Sequence, residues 1–239
     1  MKEVVIVGAV RTAQGMLGGT IKDFSATQLG AIAVKGVLEK TKVDPNLVDE
    51  VIFGNCLQDT DAPNLARNIS LTAGLPIKTT AFTVHRNCAS GIQSISCAYQ
   101  NIVLGDAEVH ISGGAESMSR APFISRDMRF GKKLQHSELR DSLWEALTDP
   151  YCNMIMGLTA ENLADEFKIS KEEQDKYALS SHNKAEKATT AGKFKDEIVP
   201  VVIKSRKGDI IFDKDEGIAF GITLDKIKGA PTVFKKDGT

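Results

Sequence analysis

A cysteine followed by three small residues is the feature of this sequence that is best suited to chemistry. Cys88 stands in the stretch VHRNCASGIQSIS, between a short apolar run and a segment with helical periodicity. The next residues are Ala89, Ser90 and Gly91, which leave room for a substrate or another backbone to approach. A thiol at a strand-to-helix corner of this kind can act as a nucleophile.

The start of a helix favours the ionised form of a thiol. The first amides of a helix have no partner within the helix, and the helix dipole is positive at that end. Cysteines in such positions lose their proton more readily than free cysteine does. Glycine in a first helical turn costs about 1 kcal/mol relative to alanine, so we expect a close approach that requires Gly91. The alternative is a small buried cysteine that only packs a tight strand–helix contact.

The elements that must position Cys88 alternate between short apolar runs and helical patterns. The sequence predicts strands at residues 4–7, 51–53, 82–84 and 109–111, and helices at residues 27–40, 65–74 and 89–104. Short, almost continuously apolar strands that are separated by helices are typical of a mainly parallel sheet covered on both faces. We therefore predict an α/β fold for residues 1–117.

The pattern changes after residue 118. A charged, weakly periodic stretch is followed by two predicted helices, and the second begins at the capping box SKEE with Ser170 as N-cap. A hairpin is predicted over residues 197–212, with its turn at residues 207–209. We expect residues 118–239 to form a long insertion with both helices and strands.

Composition excludes several classes of function. The formal net charge of −1 gives no general attraction to nucleic acid or to anionic membranes. No apolar run approaches the roughly 18 residues of a membrane-spanning helix, and no secretory signal is recognisable. The four cysteines form no CxxC pair, so neither a zinc site nor a dithiol site is expected. We expect a cytoplasmic protein that binds no metal, no nucleic acid and no membrane.

Several segments, in one order along the chain, resemble the thiolase family. They are VGAVRTAQGMLGGTIKD (7–23), NLARNISLTAGLP (64–76), VHRNCASGIQSI (84–95), GGAESMSRAPF (113–123) and MGLTAENLADEFKISKEEQDKYALSSHNKA (156–185). The resemblance covers nearly the whole chain. It implies an acyltransferase of fatty acid metabolism that condenses two acyl-CoA molecules or cleaves a 3-ketoacyl-CoA by thiolysis.

The resemblance also implies roles for particular residues. Cys88 matches the cysteine that accepts the acyl group as a thioester, and Met156 and Phe234 match positions that shape the acyl pocket. Coenzyme A is then a co-substrate, with no tightly bound cofactor, and the assembly is a homodimer or homotetramer. Without the resemblance, Met156 and Phe234 would be assigned to ordinary packing.

The implied fold is one half of a layered αβαβα core, with a mixed, mostly parallel sheet flanked by helices. Residues 1–117 correspond to the N-terminal core half and residues 118–239 to the CoA-binding loop insertion. The family's C-terminal core domain carries Gly-His-Pro and Cys-Gly-Gly segments, which this sequence lacks. We therefore expect no thiolase activity from the 239-residue chain alone and activity from a full-length parent. A half-molecule is also expected to self-associate through exposed apolar surface.

Two departures and two alternatives accompany the resemblance. Ile155 stands where short-chain members often have histidine, and Ala219 stands where an arginine often meets the adenine end of CoA. One alternative is a non-catalytic module for CoA binding or assembly. The other is a ketoacyl-synthase-like condensing enzyme, against which the TAEN insertion argues.

His85 is the histidine nearest to Cys88 in sequence, but its odd spacing along a strand argues against a direct pair.

Overall fold

The computed structural model describes residues 2–239. In chain order the strands are β1 Arg11–Thr12, β2 Glu50–Gly54, β3 Thr80–Val84, β4 His110–Gly114, β5 Phe123–Ile124, β6 Arg140–Asp141, β7 Thr148–Asp149, β8 Met154–Ile155, β9 Ile198–Val199, β10 Val201–Ile203 and β11 Ile210–Phe212. The α-helices are α1 Ala26–Thr41, α2 Leu65–Ala73, α3 Ser90–Leu104, α4 Ser142–Ala146, α5 Met156–Phe167, α6 Lys171–Thr190 and α7 Leu224–Lys228. Two single-turn 3₁₀ helices span Pro45–Leu47 and Met118–Arg120.

The chain divides into two compact units. The first comprises Met1–Pro122 and Asp196–Glu216, and the second comprises Phe123–Lys195 and Gly217–Thr239. Residues 196–216 belong with the first unit, where β1 pairs in parallel with β9 and Arg11 forms ion pairs with Glu197 and Asp215. This division differs from the predicted boundary between residues 117 and 118. The assignment of residues 118–239 to CoA binding stays a prediction.

A three-stranded parallel sheet forms the centre of the first unit. β2 lies in the middle, with β3 on one side and β4 on the other. Both neighbours are in register with β2 over all five of its residues, and Gly54 pairs with both Val84 and Gly114. The predicted parallel α/β arrangement is confirmed, and the three strands end at the same register position, so their carboxyl ends lie side by side at one edge of the sheet.

Both faces of the central strand are covered. Val51 and Phe53 point to one face, where they join a buried cluster with residues of α1 and α2. Ile52 points to the opposite face and is also fully buried. Ser25 and Gln28 form a capping box at the start of α1, and left-handed Gly74 and Gly105 terminate α2 and α3.

The predicted strand at residues 4–7 is wrong. No residue between 2 and 10 is in a strand, and Val5, Ile6 and Val7 are 67, 80 and 71% exposed. This segment lines an apolar groove of about 1010 Å³ that β4, α1 and α3 also line. A strand needs a hydrogen-bonding neighbour, and none of the described residues lies beside this apolar run in that way.

Helix α3 buries its small residues instead of its large ones. Ser90, Ser94 and Ala98 are buried, whereas Ile92 is 75% exposed and Tyr99 is 51% exposed. The predicted helix is confirmed, but several of the large apolar side chains that carry its periodicity are exposed. Small residues on the inner face let the helix backbone lie close to β2, and this closeness shapes the site described below.

The second unit is built from helices and short hairpins. α6 begins at the predicted capping box, in which Ser170 and Glu173 exchange hydrogen bonds. β5 pairs with β6 and β7 pairs with β8, both antiparallel. Within residues 2–239, no helix combines the length and the apolar character that crossing a bilayer requires.

Candidate active site

The carboxyl ends of the three parallel strands bring three loops together. Cys88 follows β3, Cys56 follows β2, and Glu116 follows β4. The backbone links the strand ends directly, since the Asn55 amide donates to the Val84 carbonyl at 3.2 Å and the Ala115 amide donates to the Gly54 carbonyl at 3.1 Å. Ligand sites of open parallel sheets form at this edge.

The corner that carries Cys88 is a tight turn into α3. Asn87 adopts a left-handed conformation with φ of 46°, which residues with a side chain seldom adopt. Cys88 itself is exposed, and Ala89 occupies the N-cap of α3 without any side-chain capping bond. The first turn of a 15-residue helix therefore begins beside an accessible thiol with no carboxylate or hydroxyl capping its amides.

The close approach expected at Gly91 is found at Gly54 instead. A methyl group on Gly54 would lie 2.4 Å from the carbonyl carbon of Ser90 and 2.6 Å from the amide nitrogen of Gly91. A methyl group on Gly91 would meet no heavy atom within 4 Å. The last residue of β2 thus has to be glycine for α3 to begin where it does. The space over Gly91 is open.

Ser90 forms hydrogen bonds with residues of the corner on the N-terminal side of Cys88. Its hydroxyl donates to the carbonyl oxygen of Asn87 at 2.6 Å and accepts the backbone N–H of Arg86 at 2.8 Å. The backbone N–H of Ser90 donates to the same Asn87 carbonyl at 3.1 Å. Because the Ser90 side chain is buried, these bonds hold the turn on both sides of Cys88.

Glu116 organises the neighbouring loop after β2. One carboxylate oxygen accepts the side-chain amide of Asn55 at 2.7 Å and the backbone N–H of Leu57 at 3.1 Å. The other oxygen accepts the backbone N–H of Cys56 at 2.9 Å. Asn55 is buried and also donates to the Ala115 carbonyl at 3.1 Å. A single carboxylate therefore fixes three consecutive residues of this loop.

Cys56 joins this loop to the Cys88 corner. Its thiol donates to the carbonyl oxygen of Asn87 at 2.9 Å and lies 3.7 Å from the hydroxyl of Ser90. Burial raises the pKa of the Cys56 thiol, the hydrogen bond with Ser90 partly opposes that rise, and the negative charge of Glu116 adds to it. Cys56 is therefore a protonated donor rather than a second nucleophile.

The histidines do not pair with Cys88. Nδ1 of His85 accepts the backbone N–H of Asn87 at 3.3 Å, and among residues 2–239 no side chain forms a hydrogen bond with the Cys88 thiol. The His110 side chain is buried, and neither of its ring nitrogens has a hydrogen-bond partner in the described chain. Nδ1 of His182 accepts the backbone N–H of Ala219 at 3.2 Å.

Met156 and Phe234 lie in the second unit, on the same end of α5. Met156 is the first residue of that helix, and the Phe234 ring lies so close to the next residue that a methyl group on Gly157 would be 2.3 Å from it. Both side chains are 45% exposed. Their roles in an acyl pocket stay predictions.

A helix face of α5 holds the segment that carries Phe234. Four residues beyond Gly157, the buried Glu161 accepts the backbone N–H of Thr239 at 2.9 Å and its hydroxyl at 3.0 Å. Four residues further, Asp165 forms an ion pair with Lys235. These positions share one face of the helix, so the position of Phe234 depends on the stability of α5.

Sequence reasoning missed Asn55, Cys56 and Glu116. The available signal was their common placement directly after three parallel strands, because such strand ends meet at one edge of a sheet. Among residues 2–239 no three His, Cys, Asp or Glu side chains are grouped so that they could hold a metal ion.

Comparison with known proteins agrees with the fold and the sequence. The chain is 44% identical to a probable acetyl-CoA acyltransferase of Staphylococcus epidermidis and 47% identical to human mitochondrial 3-ketoacyl-CoA thiolase, over 241 aligned residues in each case. Both alignments cover all of this chain and 61% of the relative's length. The chain thus spans less than two thirds of the curated relatives that it matches.

Solved structures give the same result. The acetyl-CoA acetyltransferase of Bacillus anthracis superposes with a TM-score of 0.95 at 44% identity, over 98% of this chain and 59% of that one. Human mitochondrial 3-ketoacyl-CoA thiolase in complex with CoA superposes with a TM-score of 0.91 at 47% identity, over 97% of this chain and 58% of that one. The family model described as thiolase, N-terminal domain, matches residues 4–239. The chain has the thiolase-like α/β fold and belongs to the thiolase family.

Proposed function

We propose that Cys88 is the acyl-accepting nucleophile of a thiolase that uses coenzyme A thioesters. The observation that carries this proposal is the exposed thiol at the uncapped start of α3, beside the level ends of three parallel strands. The relatives named above include an acetyl-CoA acyltransferase and a structure that contains CoA, which supports acyl-CoA as substrate and CoA as co-substrate.

The proposed first step is a transfer of the acyl group to sulfur. The Cys88 thiolate attacks the thioester carbonyl, a new carbon–sulfur bond forms, and the bond from the acyl carbon to CoA breaks. CoA leaves as a thiolate and takes up a proton. The open space over Gly91 leaves room for the acyl group.

Later steps need a base and a complete oxyanion site. His85 uses Nδ1 to accept a backbone amide, and none of the described side chains forms a hydrogen bond with Cys88. Loss of one oxyanion donor alone costs about 10²–10³ in rate. We therefore propose that the 239-residue chain can be acylated slowly but does not turn over, and that turnover belongs to the whole protein.

The wider proposals follow the family. The protein acts in the cytoplasm in fatty acid metabolism, and Met156 and Phe234 line its acyl pocket, both being half-exposed at the start of α5. It forms a homodimer or homotetramer. The large exposed side chains of α3 and the exposed residues 5–7 support association, since contiguous apolar surface is covered in stable assemblies.

The test is acetyl transfer to a defined cysteine. Radiolabelled acetyl-CoA is incubated with the chain, the protein is denatured in acid, and the labelled peptides are identified by mass spectrometry. We expect a thioester on Cys88 that forms faster than any on Cys152, which is also exposed but lies in the turn between β7 and β8. Cys88→Ser should abolish the label, and Cys152→Ser should retain it. Equal labelling of the two cysteines would favour a non-catalytic module.

A further inference from the structure

Glu116 is a carboxylate near the nucleophile that the proposed reaction does not use. It lies on the loop after β4, and its hydrogen bonds reach the loop that touches the Cys88 corner. We propose that Glu116 is a positioning residue for Cys88 and acts through the thiol of Cys56. This inference rests on the proposed role of Cys88 and adds to it.

The first step of the argument is the rigidity of the loop after β2. The two oxygens of Glu116 accept three N–H groups, from the Asn55 side chain and from the backbone of Cys56 and Leu57. A carboxamide in the same place offers one accepting oxygen and one donating nitrogen, so it cannot accept all three. The ionised carboxylate therefore sets the backbone of Cys56.

The second step is the contact between Cys56 and the corner. The carbonyl oxygen of Asn87 accepts the Cys56 thiol, the Ser90 hydroxyl and the Ser90 amide. Only the first of these donors comes from outside the corner. Asn87 is left-handed, a conformation that persists where surrounding contacts fix it. The Cys56 thiol is thus the external contact that fixes the peptide between Asn87 and Cys88.

The third step separates positioning from electrostatics. Removal of a negative charge near a thiol makes thiolate formation easier, which would speed the reaction of Cys88 with an alkylating reagent. Loss of a positioning contact would slow it, because the turn that carries the thiol would be held less firmly. The two effects therefore predict opposite changes in the alkylation rate of Cys88 when Glu116 is replaced by glutamine.

The experiment is competitive alkylation of the 239-residue chain with iodoacetamide at pH 7. The readout is the rate at Cys88 divided by the rate at Cys152 in the same tube, which cancels differences in reagent and protein concentration. The variants are Glu116→Gln, Cys56→Ala and the conservative rescue Cys56→Ser. Cys97→Ala is the matched control, because Cys97 is a half-buried cysteine of α3 outside this network.

We expect the ratio to fall about three-fold or more in Glu116→Gln and in Cys56→Ala, the effect of one lost hydrogen bond. Cys56→Ser should restore most of the ratio, because a hydroxyl can donate to the Asn87 carbonyl, and Cys97→Ala should leave it unchanged. Circular dichroism establishes that each variant is folded, and the Cys56 pair decides the question if Glu116→Gln does not fold.

The outcomes distinguish this inference from the proposed function. A ratio near one in the unmodified chain would overturn the role of Cys88 itself. A high ratio that persists in Glu116→Gln and Cys56→Ala would leave that role intact and overturn the positioning role. An increase in Glu116→Gln, or an equal loss in Cys56→Ser and Cys56→Ala, would overturn it as well.

Discussion

The close packing of β2 against the start of α3 makes Gly54→Ala the most informative single substitution for stability. The new methyl group would lie 2.4 Å from the Ser90 carbonyl carbon, 2.6 Å from the Gly91 nitrogen and 2.7 Å from the Ser90 Cβ. Carbon atoms in contact are normally about 3.5–4.0 Å apart, so the start of α3 has to move by about 1 Å. Two of the three atoms are backbone atoms, which no side-chain rotation can relieve.

The expected cost follows from this overlap. Overpacking of a core contact costs about 1–3 kcal/mol, so the free energy of unfolding should fall by that amount. A shift of about 1 Å at the N-terminus of α3 should also reduce the preference of alkylation for Cys88 over Cys152. Urea unfolding followed by circular dichroism measures the first effect, and peptide mass spectrometry after iodoacetamide treatment measures the second.

Gly113→Ala is the matched control for this substitution. Gly113 lies on the neighbouring strand β4, and a methyl group there would meet its nearest atom, in the ring of Phe53, at 3.4 Å. We expect this variant to remain within about 0.5 kcal/mol of the unmodified chain. If Gly54→Ala unfolds at the same urea concentration as Gly113→Ala and keeps its preference for Cys88, the packing argument fails.

Three further predictions concern pH and local order. Hydrogen bonds from Arg11 hold the pKa of Asp215 below its ordinary value, so the stabilisation is present above about pH 4 and is lost as the pH falls through the lower folded-state pKa. The Asp215→Asn variant should therefore lose less melting temperature than the unmodified chain between about pH 5 and about pH 3. An equal loss in both proteins would contradict this. Burial lowers the pKa of His110, so its protonation opposes folding, and the free energy of unfolding should decline as the pH drops below about 6.5. Urea unfolding of His110→Asn should show no such decline. A decline as large as that of the unmodified chain would count against this role of His110. Glu161→Ala removes the acceptor for Thr239, and hydrogen exchange of the amides from residue 235 onward should become about ten-fold faster; exchange at the original rate would show that α5 does not hold this segment.

Features encoded by neighbouring residues were predictable from the sequence. The capping box at Ser170, the left-handed glycine at Gly74 and the apolar run around Ile52 each specify local structure within a few residues. The parallel sheet followed from the alternation of such elements. The corner at Cys88 was also predictable, because a short strand, small residues and a helix follow one another without interruption.

Features that depend on distant residues were not predictable in the same way. The apolar run at residues 5–7 has strand composition, yet strand formation requires a neighbour that composition does not reveal. The periodicity of α3 is carried by Ile92 and Tyr99, which are exposed, because the space beside β2 admits only small residues. The contact between Glu116 and Asn55 joins residues 61 positions apart.

The central claim, that Cys88 at the start of α3 is the reactive thiol of the chain, is tested most directly by the alkylation rates of Cys88 and Cys152 in the unmodified chain at pH 7. Both thiols are exposed, so access does not separate them. A helix N-terminus stabilises a nearby negative charge by about 0.3–2 kcal/mol, which corresponds to about two-fold to thirty-fold. We predict that Cys88 reacts faster than Cys152 by a factor in that range. A rate at Cys88 equal to or below the rate at Cys152 would contradict the account.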